Sequence, residues 1–137
     1  MPFTRISLRA GRSAAQIAAI RDALYEALTS SFDVPADDSF MAFHQHAPGE
    51  LLLDAQYGGG PRSSDAMVFE ITTGRRRSEE MTKVFLRRLV ANLGQMAGIR
   101  PEDVMVIFVH ATPADWSFGS GRLMSEMTME ELGRAAR

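Results

Sequence analysis

Cysteine is absent from this sequence, tryptophan occurs once and tyrosine twice. The missing cysteine excludes disulfides, thiolate zinc sites and thiol nucleophiles. No stretch approaches the roughly 20 apolar residues that a membrane helix requires. The opening residues, MPFTRISLRAGRS, alternate apolar with polar instead of forming the apolar core of a secretion signal. Neither charge dominates: 15 Lys and Arg against 17 Asp and Glu give a formal net charge of -2, which argues against an electrostatic grip on nucleic acid. The expectation is therefore a cytoplasmic protein with neither nucleic acid nor membrane as partner. What is present, 45% apolar residues over 137 positions, suffices for one globular domain over residues 1–137 with a buried core.

Two periodicities alternate along the chain. Phe3, Ile6 and Leu8, with polar residues between them, fit a half-buried strand. Gly11-Arg12 turns the chain, Ser13 and Gln16 form a capping box, and Ile17, Ile20, Leu24 and Leu28 predict a helix from about Ser13 to Ser31 that lays one face on a sheet. Phe40 to His46 predicts a second strand, Leu51 to Leu53 a short further one, and Tyr57-Gly58-Gly59-Gly60-Pro61 a loop. The pattern then restarts. Met67 to Thr73 predicts a strand, and Ser78 opens a helix carrying Phe85, Leu89, Leu93 and Met96, which Gly98 ends. Val104 to Val109, the most apolar run, predicts a central strand.

A shift of 65 carries Ser13 onto Ser78, Ile20 onto Phe85, Leu24 onto Leu89 and Leu28 onto Leu93, and a shift of 66 carries Pro35 onto Pro101. Such self-similarity marks a duplicated β-α-β unit, with halves of about 2–60 and 66–122. Right-handed crossovers then give an α+β fold: a four-stranded sheet with two helices on one face, plus a short C-terminal extension over 123–137. Helices on one face leave the other in need of a partner, so oligomerisation is expected.

Pro2 follows Met1 directly, and removal of that methionine exposes a secondary amine. The ordinary pKa of an α-amino group is about 7.7 to 8.0, and burial disfavours its charged form. A sheltered terminal amine is then neutral near pH 7 and able to take a proton or attack a carbonyl. Arg75, Arg76 and Arg77 stand just before the second predicted helix, where the macrodipole favours anions. They suit a bidentate carboxylate clamp or, equally, a solvated basic turn neutralised by Glu79 and Glu80. Pro35-Ala36-Asp37 aligns with Pro101-Glu102-Asp103, giving Asp37 a twin and a turn or capping role. Asp38 has no twin in that alignment and is the candidate for acid-base work or for orienting water.

Other features point less sharply. His44 and His46 share a strand face, but His110 is the only other histidine, so structural roles outweigh a metal pair and no metal or other cofactor is expected. Gly58 to Gly60 lack the Lys-Ser/Thr ending of a phosphate loop. Trp116 and Phe118, beside Gly119 and Gly121, suit either an apolar wall against a small ligand or the core.

Pro2, Gly11-Arg12-Ser13, Val34-Pro35 with Asp38, His44-Gln45-His46-Ala47-Pro48, the arginines before the second helix, and Asp115-Trp116-Ser117-Phe118-Gly119 with Gly121-Arg122 together resemble the tautomerase superfamily. Within it the likeness is greatest to the malonate semialdehyde decarboxylases. It runs from Pro2 to about Arg122, and the Trp116 motif is its specific part. The resemblance implies a homotrimer acting without a cofactor on a small carboxylate-bearing substrate, by decarboxylation of a 3-oxo acid such as malonate semialdehyde. Pro2 and Asp38 would be catalytic, Arg75 and Arg76 would bind the carboxylate, and Trp116 and Phe118 would form an apolar wall.

Two departures bear on the substrate. The family's Arg-x-Arg pattern falls on Gly74 and Arg76, so Arg75 serves only by a one-residue shift, and Met124-Ser125-Glu126 replaces bulky apolar groups. Keto-enol tautomerisation or hydration of a related oxo or enol acid, or a non-catalytic trimeric interaction module, therefore stand as alternatives. The tail, with Leu123, Met124, Met127, Met129 and Leu132, is expected to pack on a neighbour, over a site, or as a short amphipathic helix on the core.

Overall fold

In the computed structural model, which describes residues 2–133, strand alternation decides which side of the sheet is covered. Thr4, Ile6 and Leu8 of β1 (Pro2–Arg9) are fully buried, as are Met67, Phe69, Ile71 and Thr73 of β3 (Met67–Thr73). Successive strand residues point to opposite faces, so this one side belongs to the core. Against it lie α1 (Ala14–Ser31), through Ile20, Leu24 and Leu28, and α2 (Glu79–Ala97), through Phe85, Leu89 and Leu93. Burying each such side chain contributes roughly 1.5–3 kcal/mol. The flanking strands β2 (Phe40–His46) and β4 (Val104–His110) extend the same layer with Met41, Phe43, Val106 and Phe108.

Local chemistry sets the helix ends. Ser13 Oγ accepts from the Gln16 backbone N–H at 3.1 Å while Gln16 Oε1 accepts from the Ser13 N–H at 2.8 Å, which is the predicted capping box. Ser78 caps α2 through the Met81 N–H at 3.1 Å, and Gly98 closes it in the left-handed region at φ 67. Across the helix seam, Glu26 takes the Arg88 guanidinium and the Asn92 amide, and these bonds bring its carboxyl down to about 2.

Strand order is β2-β1-β3-β4, with β1 antiparallel to β3 and each outer pair parallel. The shift of 65 carries the β1–β2 pair Phe3 and Phe40 onto the β3–β4 pair Val68 and Met105, so the halves share one pairing register. This is the expected α+β duplicated β-α-β fold, a four-stranded sheet with two helices on one face. Three expectations are corrected. The apolar run Val104 to Val109 is an edge strand, not a central one. Its outward residues Met105, Ile107 and Val109 are 37%, 41% and 41% exposed, so the run is apolar on both faces without neighbours on both sides. Leu51 to Leu53 form no strand: Leu52 is 84% exposed, and Asp54 organises the following turn by accepting from the Gln56 and Tyr57 N–H groups. The described part of the tail folds as a 3-10 turn at Met124–Glu126 and further turns, with no amphipathic α-helix. Met1, whose removal would free the Pro2 amine, and the end of the extension at 134–137 lie outside the described residues.

Leu89→Ala is expected to lower the unfolding free energy by about 2–5 kcal/mol and Ser13→Ala by about 1 kcal/mol. Denaturant midpoints at fixed protein concentration check both, and a smaller loss for Leu89→Ala than for Ser13→Ala would contradict this account of the core.

Candidate active site

The duplication gives the sheet two equivalent ends, and one of them is chemically equipped. There Pro2, buried at the start of β1, lies in register with Thr73 of β3, which lies in register with His110 of β4. The shift of 65 relates Pro2, Thr73, Arg76 and His110 to Met67, Leu8, Gly11 and Gln45 at the opposite end. The β1–β3 seam therefore sets a row of functional groups against a row without ionisable side chains. Thr73 Oγ1 and His110 Nδ1 are 3.0 Å apart. Desolvation, and then the Arg76 and Arg77 guanidinium groups, push the His110 imidazole below its ordinary range, which keeps it neutral near pH 7.

Asp38 precedes β2 at the same end and is 8% exposed. The loop that carries it is held by the Tyr25 hydroxyl, which donates to the Ala36 carbonyl at 2.7 Å, and by Arg77, whose Nε donates to the Phe32 carbonyl at 3.2 Å. Contrary to the sequence alignment, Asp38 has a twin. Its N–H donates to the Pro35 carbonyl at 3.1 Å, and the Asp103 N–H donates to the Arg100 carbonyl at 3.0 Å, so the shift of 65 relates Asp38 to Asp103. Matching Pro35 to Pro101 by identity displaced this segment by one residue. The two carboxylates have diverged in surroundings. Asp103 accepts from the Ser63 N–H at 2.7 Å and the Ser63 hydroxyl at 2.6 Å. Burial acts to raise its pKa, but these bonds outweigh burial and hold the carboxyl below its ordinary range.

Three arginines adjacent in sequence do three different things. Arg75 pairs with Asp33 on the loop after α1. Arg77 is buried, with its guanidinium 4.7 Å from the Phe32 ring centroid, and braces the fold. Arg76 is exposed and makes no ion pair among the described residues; it lines a concavity of about 610 Å³ with Phe108, His110 and Thr82. Of the two candidate clamps, Arg76 alone faces this concavity.

The expected aromatic wall crosses the open face of the sheet. Trp116 stacks on Phe118 at 5.8 Å between centroids, and Phe118 meets Phe40 at 5.7 Å. Asp115 orders the turn before it by accepting from the Thr112 N–H and hydroxyl, both at 2.8 Å. Phe118 and Phe40 then join Asp38, Pro35, Met127 and Leu132 around a cleft of about 160 Å³. A cavity of about 150 Å³ holds a benzene molecule. The tail supplies Met127 and Leu132, and a two-pronged bond from Arg122 to Glu131, at 2.8 and 3.3 Å, holds it there and brings the Glu131 carboxyl down to about 2. Among the described residues no three His, Asp or Glu side chains converge as a metal site, and His44 and His46 gain no third ligand.

Thr73 and His110 are the site residues that reading the sequence missed. Each is the polar last residue of a largely apolar strand, and only the strand pairing shows that Thr73 falls opposite Pro2 and His110 opposite Thr73.

This architecture defines a tautomerase-type β-α-β protein. A family model described as tautomerase enzyme matches residues 38–119, and the chain belongs to that family. Probable tautomerase YusQ of Bacillus subtilis (strain 168) is 30% identical over 122 residues, covering 89% of this chain and 96% of its own length. A solved malonate semialdehyde decarboxylase, studied as wild type, as a proline-to-alanine mutant and in inactivated form for its decarboxylase and hydratase activities, is 37% identical with a TM-score of 0.83. That similarity covers 92% of this chain and 99% of the decarboxylase. A fused 4-OT protein solved as a symmetric trimer shares the fold at 11% identity and TM-score 0.74, covering 90% and 98% of the two chains.

The Asp103 bonds make a pH prediction. Its folded pKa lies below the unfolded value of about 3.9, so its stabilisation is complete above that value and is lost as the pH falls through the folded one. Ser63→Ala should cost about 1–3 kcal/mol at pH 7, and the difference from wild type should shrink as the pH falls below about 4. A pH-independent difference in unfolding free energy would contradict it.

Proposed function

We propose that this protein is an enzyme that uses Pro2, freed of Met1, to decarboxylate a small 3-oxo acid such as malonate semialdehyde without a cofactor. The observation that carries this reading is the position of Pro2, buried at the strand end shared by Asp38, Thr73, Arg76 and His110, while the equivalent end lacks such a set. Similarity to malonate semialdehyde decarboxylase supports the choice of reaction. Arg76 takes the substrate carboxylate as a bidentate anion clamp. Pro2 either polarises the 3-oxo group as a cation or condenses with it to an iminium, releasing water. The electron pair of the breaking carbon–carboxylate bond then passes to that acceptor, carbon dioxide leaves, and the resulting enol or enamine takes a proton on carbon. An iminium route regenerates the amine by hydrolysis. Asp38 moves the proton or orients water, and Trp116 and Phe118 face the departing carboxylate with apolar surface.

A second reading, tautomerisation or hydration of a related oxo or enol acid, is supported by the similarity to a probable tautomerase and to a decarboxylase studied also for hydratase activity. Assembly as a homotrimer belongs to the same proposal. Met105, Ile107 and Val109 leave apolar surface on the uncovered face, and a partner copy removes it from water.

Purified protein, with its mass checked for loss of Met1, is to be assayed on malonate semialdehyde and on phenylenolpyruvate beside Pro2→Ala. The variant is expected to lose about 10²–10⁴-fold in rate on whichever substrate is turned over. Equal rates from the two proteins would sink the Pro2 mechanism.

A further inference from the structure

We propose that His110 contacts the substrate, its Nε2–H donating a hydrogen bond to the oxo or enol oxygen of the acid whose carboxylate Arg76 binds. The inference rests on the functional reading above and extends it by giving His110 a part in the reaction. Thr73 is fully buried, and among the described residues its hydroxyl has no hydrogen-bond partner besides His110 Nδ1, at 3.0 Å. If Nδ1 carried the imidazole proton, the buried Thr73 O–H would be left without an acceptor, which is the costlier arrangement. Thr73 therefore donates to Nδ1, and the proton of the neutral ring sits on Nε2.

His110 is itself exposed and lines the concavity of about 610 Å³ that also contains Arg76. Glu79, the acid on that wall, pairs with Lys83 at 2.8 Å, and Arg77 is engaged by the Phe32 carbonyl at 3.2 Å. Arg76 and His110 thus present donors to one space, which suits an acid carrying an adjacent carbonyl or enolate oxygen better than a simple carboxylate. The fold does not require this pair. At the equivalent positions of the other half stand Leu8 and Gln45, with Gly11 in place of Arg76, and the same strands pair there in the same register. Thr73 is a positioning residue in this scheme: it acts on the substrate only by selecting the imidazole tautomer.

The test uses the full chain as wild type, Pro2→Ala, His110→Leu, His110→Gln and Thr73→Val, with thermal midpoints confirming that each is folded. Turnover of malonate semialdehyde and phenylenolpyruvate, alkylation of Pro2 by 3-bromopropiolate, and ¹⁵N imidazole spectra at pH 7 are the readouts. His110→Leu is expected to lower kcat/KM about 10²-fold, mostly in kcat, because the lost donor meets charge that develops in the transition state. His110→Gln, whose amide N–H replaces the donor, should recover to within about tenfold of wild type on the same reasoning. The spectrum should show the Nε2–H tautomer in wild type and a tautomer mixture in Thr73→Val. An Nδ1–H tautomer in wild type, or an unimpaired His110→Leu beside an inactive Pro2→Ala, would overturn this inference while leaving the Pro2 reading standing. A wild type that turns over neither acid and resists alkylation at Pro2 would overturn both.

Discussion

The antiparallel pairing of β1 with β3 is the contact on which the rest of the molecule depends. It joins two β-α-β halves that are each internally parallel, and it sets Pro2 opposite Thr73. Its register is pinned by burial: Thr4, Ile6 and Leu8 on one strand and Phe69, Ile71 and Thr73 on the other are all fully enclosed beneath the helices. A slip of one residue would turn those side chains to the open face and bring Arg5 and Glu70 into the core, a cost no local adjustment offsets. The same pairing makes the two ends of the sheet equivalent in backbone and free to diverge in side chains.

That divergence is where chemistry enters. Arg12 and Arg77 occupy equivalent places before the two helices and both are tied down, Arg12 to the Asp65 carbonyl at 2.9 Å and Arg77 to the Phe32 carbonyl at 3.2 Å. Asp38 and Asp103 likewise share a backbone turn, yet Ser63 satisfies Asp103 from the segment leading into β3. Around these shared anchors one end carries Thr73, Arg76 and His110, while the other carries Leu8, Gly11 and Gln45.

The uncovered face tells a related story. Trp116, Phe118 and Phe40 run in a connected aromatic row near the equipped end, and Met105, Ile107 and Val109 continue apolar surface along the β4 edge. The tail adds Met127 and Leu132 beside Asp38 instead of adding a helix to the core. The tail is anchored by the buried Met124, whose N–H donates to the Trp116 carbonyl at 2.8 Å, and is braced within itself by the exposed Arg122–Glu131 pair.

Much of this was legible in the order of residues. Alternation in β1 and β3, the Ser13 and Ser78 caps, the αL glycine at Gly98 and the repeat at 65 determined the helices, the strands and their duplication, because these are short-range signals read along one strand or one helical turn. The sequence also singled out Pro2, Asp38, Arg75, Arg76, Trp116 and Phe118, of which Pro2, Asp38 and Arg76 stand at one end of the sheet. Strand order and cross-strand neighbours were another matter. An apolar run such as Val104 to Val109 reads alike in a central strand and in an edge strand awaiting a partner, and identical prolines at 35 and 101 misaligned the aspartates by one position. Only the tertiary structure decided that Asp38 has a twin, that Arg75 turns to Asp33 while Arg76 faces a concavity, and that Thr73 lies opposite Pro2 with His110 opposite Thr73. The physical reason is distance along the chain: those relations are made by pairing between strands far apart in sequence, where no local period records which neighbour a residue will meet.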